Sequence, residues 1–144
     1  DDPFKDYQVM DQVIKKFLSE EADFACNNKP PTFPEGLDIE VFSKNAITKA
    51  YNNAKSAFEK EHVTQYFYKN PDDFNIISVL HTDDLSYLRW TIDEDKDLEM
   101  VRKVYKKLFT GKHIFLMKDI LELLEKHTEI PHINDTVNRS TMYK

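Results

Sequence analysis

The sequence predicts an α/β domain built as a mixed sheet with helices packed on it, and three observations carry that expectation. Stretches with apolar residues at helical spacing interleave with short alternating or β-branched stretches along all 144 residues. A loop holding Pro30, Pro31 and Pro34 separates the first two strand-like stretches, where prolines without amide donors cannot sit inside a central ladder. The composition, 40% hydrophobic and 32% charged, is that of a single ordinary domain.

In chain order, Val9, Met10, Val13, Ile14, Phe17 and Leu18 predict an amphipathic helix from Asp6 to about Ser19. Ala22 to Cys26 follows as a brief buried strand and Asn27 to Gly36 as a loop. Leu37, Ile39 and Val41 alternate with Asp38, Glu40 and Phe42, so a strand with one apolar face is expected at 37 to 42. Ser43 reads as the N-cap of a helix buried through Ala46, Ile47, Ala50, Tyr51 and Ala54. A further helix is expected from Glu59 to about Lys69, stopped by Asn70-Pro71. Phe74 to Leu80 and Tyr87 to Ile92 read as strands, and Lys96 to Phe109 and Lys118 to His127 as helices. A polar tail or arm is expected over 130 to 144. No internal repeat or low-complexity tract interrupts this order.

Several function classes are excluded. The two glycines, Gly36 and Gly111, compare with roughly ten at average usage. A phosphate-gripping loop needs two or three glycines close together so that backbone amides can approach the phosphate, and this segment has none. The formal net charge of -6 opposes a nucleic-acid backbone or an anionic membrane, so neither is expected as a partner. The single cysteine forms no internal disulfide, the histidines show no metal-binding spacing, and the longest apolar run is far too short to cross a bilayer. The expected setting is cytoplasmic.

Four constellations could carry chemistry. Asp1-Asp2-Pro3-Phe4 places carboxylates where an α/β sheet sets a magnesium ligand, a solvated chain end being the alternative. Asp93 leaves a strand at the start of a helix, either as an N-cap or as a ligand-binding carboxylate, with Asp95 and Asp97 near the positive end of the helix dipole. Asp38 and Glu40 share one strand face, which favours solvent, a cation or a donor-rich ligand opposite them. In Glu59-Lys60-Glu61-His62-Val63-Thr64, His62 could donate to a ligand hydroxyl or serve as an acid or base, a structural role for a histidine at a helix start being the alternative. No nucleophile triad can be argued.

Taken in order, Asp1-Asp2-Pro3-Phe4, Gly36-Leu37-Asp38-Ile39-Glu40-Val41-Phe42, Glu61-His62-Val63-Thr64, and Leu88-Arg89-Trp90-Thr91-Ile92-Asp93 followed by Asp97-Leu98-Glu99 and Val101-Arg102 resemble the cytidylyltransferases of spore coat polysaccharide biosynthesis. That family is related to the acylneuraminate and 3-deoxy-manno-octulosonate cytidylyltransferases. The resemblance runs from Asp1 to about Leu124, with Phe4 in place of the usual leucine and Glu94-Asp95-Lys96 where Thr-Pro-Glu is common.

The resemblance implies a three-layer α/β/α nucleotide-diphosphosugar transferase-like fold, here incomplete. It implies transfer of CMP from CTP to a sugar, an acidic one by analogy with the relatives, with release of pyrophosphate for surface or spore coat polysaccharide. In the family the glycine-rich nucleotide loop lies upstream of the D-x-P motif. Residues 1 to 144 are therefore expected to be the C-terminal portion of one cytidylyltransferase-like domain, inactive alone. By position, Asp1 and Asp93 match the magnesium aspartates, and Asp38, Glu40, His62, Thr64 and Arg89 match positions lining the sugar side. No general base is implied. Family members commonly form homodimers, to which the Phe115-Leu116-Met117 run could contribute. The rival expectation is a non-catalytic sugar-binding or assembly module.

Overall fold

A computed structural model describes residues 1–62 and 64–139. Three strands form the sheet: β1 (Phe24–Cys26), β2 (Glu40–Phe42) and β3 (Ile76–Ser78), in the order β2-β1-β3. β1 runs antiparallel to β2, with Phe24 opposite Phe42, and parallel to β3, with Phe24 opposite Ile76. The helices are α1 (Tyr7–Ser19), α2 (Lys44–Asn53), α3 (Ala57–Glu61), α4 (Gln65–Lys69), α5 (Asp95–Leu108) and α6 (Met117–Lys126). The result is the expected mixed α/β architecture, consistent with an incomplete α/β/α fold.

The pleat of β1 explains the layering, because successive side chains of a strand face opposite sides. Ala25 joins Val13, Leu37, Trp90, Val104 and Ile120 in the core beneath α1, α5 and α6. Phe24 and Cys26 face the other way, into a second core with Ala46, Ala50, Phe67 and Phe74 under α2 and α4. There the Phe24 and Phe67 rings stack with centroids 4.4 Å apart. Asp6 caps α1 by accepting from the Gln8 amide at 2.7 Å, and its second oxygen accepts from the Met117 amide at 2.8 Å. One buried carboxylate thus ties the start of α1 to the start of α6. Met117 is buried in the first core and Phe115, half-buried, packs against it.

Four segments differ from expectation, each for a visible reason. The strand expected at 37 to 42 begins only at Glu40, because the Asn27 side chain occupies the ladder before it. Its amide donates to the Leu37 carbonyl at 2.8 Å and accepts from the Ile39 amide at 2.7 Å. Tyr87 to Ile92 is not a strand: Tyr87 lies in a turn, Arg89 forms an isolated bridge with Glu35, and Ile92 exchanges backbone hydrogen bonds with Asp1. Neither neighbour can extend a ladder, since Pro34 lacks an amide hydrogen and Gly36 turns away at φ +98°. The helix expected over 59 to 69 is two, α3 and α4, broken where His62 leaves helical geometry at ψ 68° beside two β-branched residues in sequence. The segment after α6, expected as a tail or arm, lies against the body: Ile130 and Asn134 are buried, and Pro131–Ile133 is a turn of 3₁₀ helix. Residues 140–144 of that expected arm lie outside the described residues.

Candidate functional site

The site is organised around a guanidinium that solvent hardly reaches. Arg89 Nε donates to Asp97 Oδ1 at 3.0 Å, Nη1 to Glu35 Oε2 at 2.8 Å and to the Asn138 carbonyl at 3.4 Å. Nη2 donates to Asp97 Oδ2 and to Asp93 Oδ2, both at 2.9 Å. All five N–H donors of Arg89 are therefore engaged inside the protein. Burial alone would lower the Arg89 pKa, but its bonds to Asp97 and the Glu35 charge outweigh that and raise it. Asp97 has no solvent contact and also accepts from the Asn134 amide at 2.8 Å and from the backbone N–H groups of Asp93 and Glu94. These bonds overcome its desolvation and hold its carboxyl well below the usual range.

This settles one alternative left open by the sequence. The N-cap of α5 is Glu94, and it is Asp97, three residues on, whose carboxylate receives the amides of the preceding turn. Asp93 is not the cap. Its Oδ2 accepts from Arg89, and its side chain is half exposed. The backbone exchange between Asp1 and Ile92, at 2.7 and 3.0 Å, brings the Asp1 segment alongside, with the Asp1 side chain fully exposed. The Asp93 carboxylate is the donor type that a magnesium ion takes, one or two at a time with water and phosphate completing the shell. Among the described residues no group of three or more His, Cys, Asp or Glu side chains is placed to hold a metal.

The remaining expected residues do not converge on Arg89. Asp38 lies outside β2, and its Oδ1 meets Arg139 Nη2 at 3.5 Å, while Lys5 Nζ donates to its carbonyl at 2.6 Å. Glu40 instead accepts from the Tyr68 hydroxyl at 2.6 Å. His62, against the Phe58 ring, and Thr64 stand at the junction of α3 and α4, with no side-chain hydrogen bond from Thr64 to the helix it precedes. Asp38 and Glu40 therefore do not act as one carboxylate pair.

Burial pushes the Asp38 carboxyl up to about 6, against the pull of Arg139 and Lys5. A carboxyl whose folded pKa exceeds its unfolded value binds its proton more tightly when folded, so stability falls as pH rises from about 4 to about 6 and is level above. Asp38→Asn should flatten that fall, by about 2 to 3 kcal/mol relative to the native side chain. Urea denaturation of both proteins across pH 4 to 7 measures it, and superimposable profiles would contradict it.

The sequence reading missed Glu35, Asp97 and Asn134 as members of the cluster. Asp97 carried a signal, the spacing of a reciprocal cap with Glu94. Glu35 and Asn134 carried none, since nothing local marks a carboxylate 54 positions from its arginine or an amide 45 positions from the carbonyl it serves.

With this geometry in hand, comparison with known proteins narrows the reading. The fold superimposes on a cytidylyltransferase from Leptospira borgpetersenii serovar Hardjo-bovis with a TM-score of 0.84 and 26% identity, over 91% of this chain and 55% of that one. The chain resembles a cytidylyltransferase. An uncharacterised protein of Methanocaldococcus jannaschii is 31% identical over 150 residues, which take in 98% of this chain and 57% of the relative. The chain thus spans a little over half the length of the proteins it matches. No family model matches it. No helix among the described residues is long and apolar enough to cross a membrane.

Proposed function

We propose that this chain supplies the metal-binding and acceptor side of a nucleotidyltransferase that moves CMP from CTP to a sugar with release of pyrophosphate, in the making of a surface or spore coat polysaccharide. The observation that carries the reading is the capture of Asp93 by Arg89: a buried guanidinium with every donor engaged fixes one carboxylate oxygen of a half-exposed side chain, next to the segment that carries Asp1. The likeness to a cytidylyltransferase supports it. Asp1 and Asp93 are the residues that would hold Mg2+, which when bound neutralises charge on the phosphates during displacement. Arg89 has no donor left for substrate, so its role is to orient Asp93. Asp38, with Arg139 beside it, and Glu40, His62 and Thr64 belong to the acceptor side.

The test is pyrophosphate release by the full-length protein with CTP, Mg2+ and acidic sugars. Asp93→Asn should lower turnover by about a hundredfold or more and weaken Mg2+ binding measured by calorimetry. The melting temperature should hold, because the side chain is half exposed. Activity close to the native level in that variant would remove Asp93 from the metal site. No pyrophosphate from any sugar would favour a non-catalytic sugar-binding module.

A further inference from the structure

The segment after α6 forms only a short turn of 3₁₀ helix, yet it buries an amide. Asn134 is 2% exposed, and both protons of its Nδ2 go to the arginine cluster. One is donated to Asp97 Oδ1 at 2.8 Å and the other to the main-chain carbonyl of Arg89 at 3.0 Å. Chemistry fixes this orientation of the amide, because the reverse one would set its oxygen against a carboxylate and a carbonyl, which only accept. A buried amide costs free energy unless its donors find acceptors, and these two find them in one place.

The two acceptors belong to the arm that holds Asp93. Arg89 reaches Asp93 through Nη2, and the guanidinium is aligned by a two-point contact with Asp97, Nε on Oδ1 and Nη2 on Oδ2. Asn134 ties the backbone from which the arginine springs to the carboxylate against which its head rests. Both ends of the arm are thereby referred to one residue. The segment around Asn134 is itself held down: Ile130 is fully buried, the Lys96 ammonium donates to the Thr136 hydroxyl at 2.9 Å, and Arg89 Nη1 reaches the Asn138 carbonyl.

We propose that Asn134 is a positioning residue for the metal-binding carboxylate of Asp93, acting through Asp97 and Arg89. This rests on the nucleotidyltransferase function above and extends its site to the segment after α6. Asn134 touches neither metal nor substrate. Removing its amide leaves Asp97 the two donors of Arg89 and the two backbone amides ahead of α5, so the cluster can persist while the arginine gains freedom to shift, and Asp93 with it. Magnesium demands near-ideal octahedral geometry and is sensitive to a displaced ligand of this kind. Groups that directly support a metal ligand carry about 10- to 100-fold in affinity, and Asn134 stands one step further back than Arg89, which sets the expected loss at about tenfold.

Mn2+ binding to the full-length protein, followed by the paramagnetic resonance signal of the free ion, reads the site without turnover. Asn134→Leu, close in volume and without donors, should weaken Mn2+ binding about tenfold. Asn134→Ser, which keeps one donor, should fall between leucine and the native residue, and it carries the test if melting shows that leucine prevents folding. In pyrophosphate release, the Mg2+ concentration for half-maximal rate should rise by a similar factor while the sugar KM holds. The same substitution made in Asp93→Asn should change the residual Mn2+ binding by less than about twofold, because no carboxylate is left to place. A residue that only held the fold together would weaken both backgrounds alike, and that result, or native Mn2+ affinity in both Asn134 variants, overturns the proposal. The two readings fail separately. Loss of Mn2+ in Asp93→Asn but not in Asn134→Leu removes the positioning role and leaves the function standing, whereas Mn2+ binding indifferent to Asp93→Asn overturns the metal site on which both rest.

Discussion

Asp97→Ala is expected to cost about 3 to 5 kcal/mol of folding stability, the range for removing one partner of a buried ion pair. The carboxylate receives five donors, two from Arg89, one from Asn134 and two from the backbone ahead of α5, and it has no contact with solvent. Alanine leaves a buried guanidinium with the carboxylates of Glu35 and the half-exposed Asp93 and with the Asn138 carbonyl, and it strips the cap from the start of α5. Urea denaturation at pH 7 measures the loss, and a value under about 1 kcal/mol would mean that water reaches the cluster. The acid limb gives an independent check. The Asp97 carboxyl is depressed when folded, so its stabilisation is complete above the unfolded carboxylate pKa near 4 and is lost as pH falls through the lower folded value. The native protein should therefore weaken below pH 4 by an amount that Asp97→Ala lacks. Asp38 acts with opposite sign between pH 4 and 6, so the two carboxyls separate cleanly on one pH series.

The parts of this fold that local chemistry dictates were legible in advance, and the parts decided by distant partners were not. α1, α5 and α6 have long apolar periods, and their observed limits fall within a residue or so of the periodic stretches. The strands shrank for reasons no pattern displays: the Asn27 side chain replaces the ladder at Leu37 and Ile39, and the segment around Trp90 pairs its backbone with Glu35 and Asp1 rather than with a strand. The candidate site follows the same division. Asp93 was visible as a carboxylate ending an extended segment, with capping as its rival. Capping falls to Asp97, which leaves Asp93 to Arg89. Arg89 itself read as a ligand for an anionic substrate, because a sequence does not show that three carboxylates of the same chain already surround it.

Gly36→Ala should destabilise by about 2 to 5 kcal/mol, combining backbone strain with an overpacked contact. Gly36 has φ +98°, a conformation that a Cβ disfavours, and an added Cβ would stand 2.8 Å from both the Trp90 carbonyl carbon and the Thr91 nitrogen. Those are backbone atoms on a buried segment, held by the Trp90 amide donating to the Glu35 carbonyl at 2.7 Å and the Glu35 amide donating to the Leu88 carbonyl at 2.9 Å. The methyl group can be admitted only by parting the two segments, which draws Glu35 away from Arg89 Nη1. Gly111→Ala is the matched control. Gly111 has φ +76° but no atom within 4 Å of an added Cβ, so it should cost only the strain of a left-handed residue, about 1 to 2 kcal/mol. The difference between the two variants isolates the close approach. Because Gly36 acts on Arg89 through Glu35, its effect should also fail to add to that of Asp97→Ala, with a coupling of about 1 kcal/mol in a double-mutant cycle. Simple additivity would show that the loop at Gly36 and the arginine cluster are independent, and with it that Glu35 does not help set the position of Asp93.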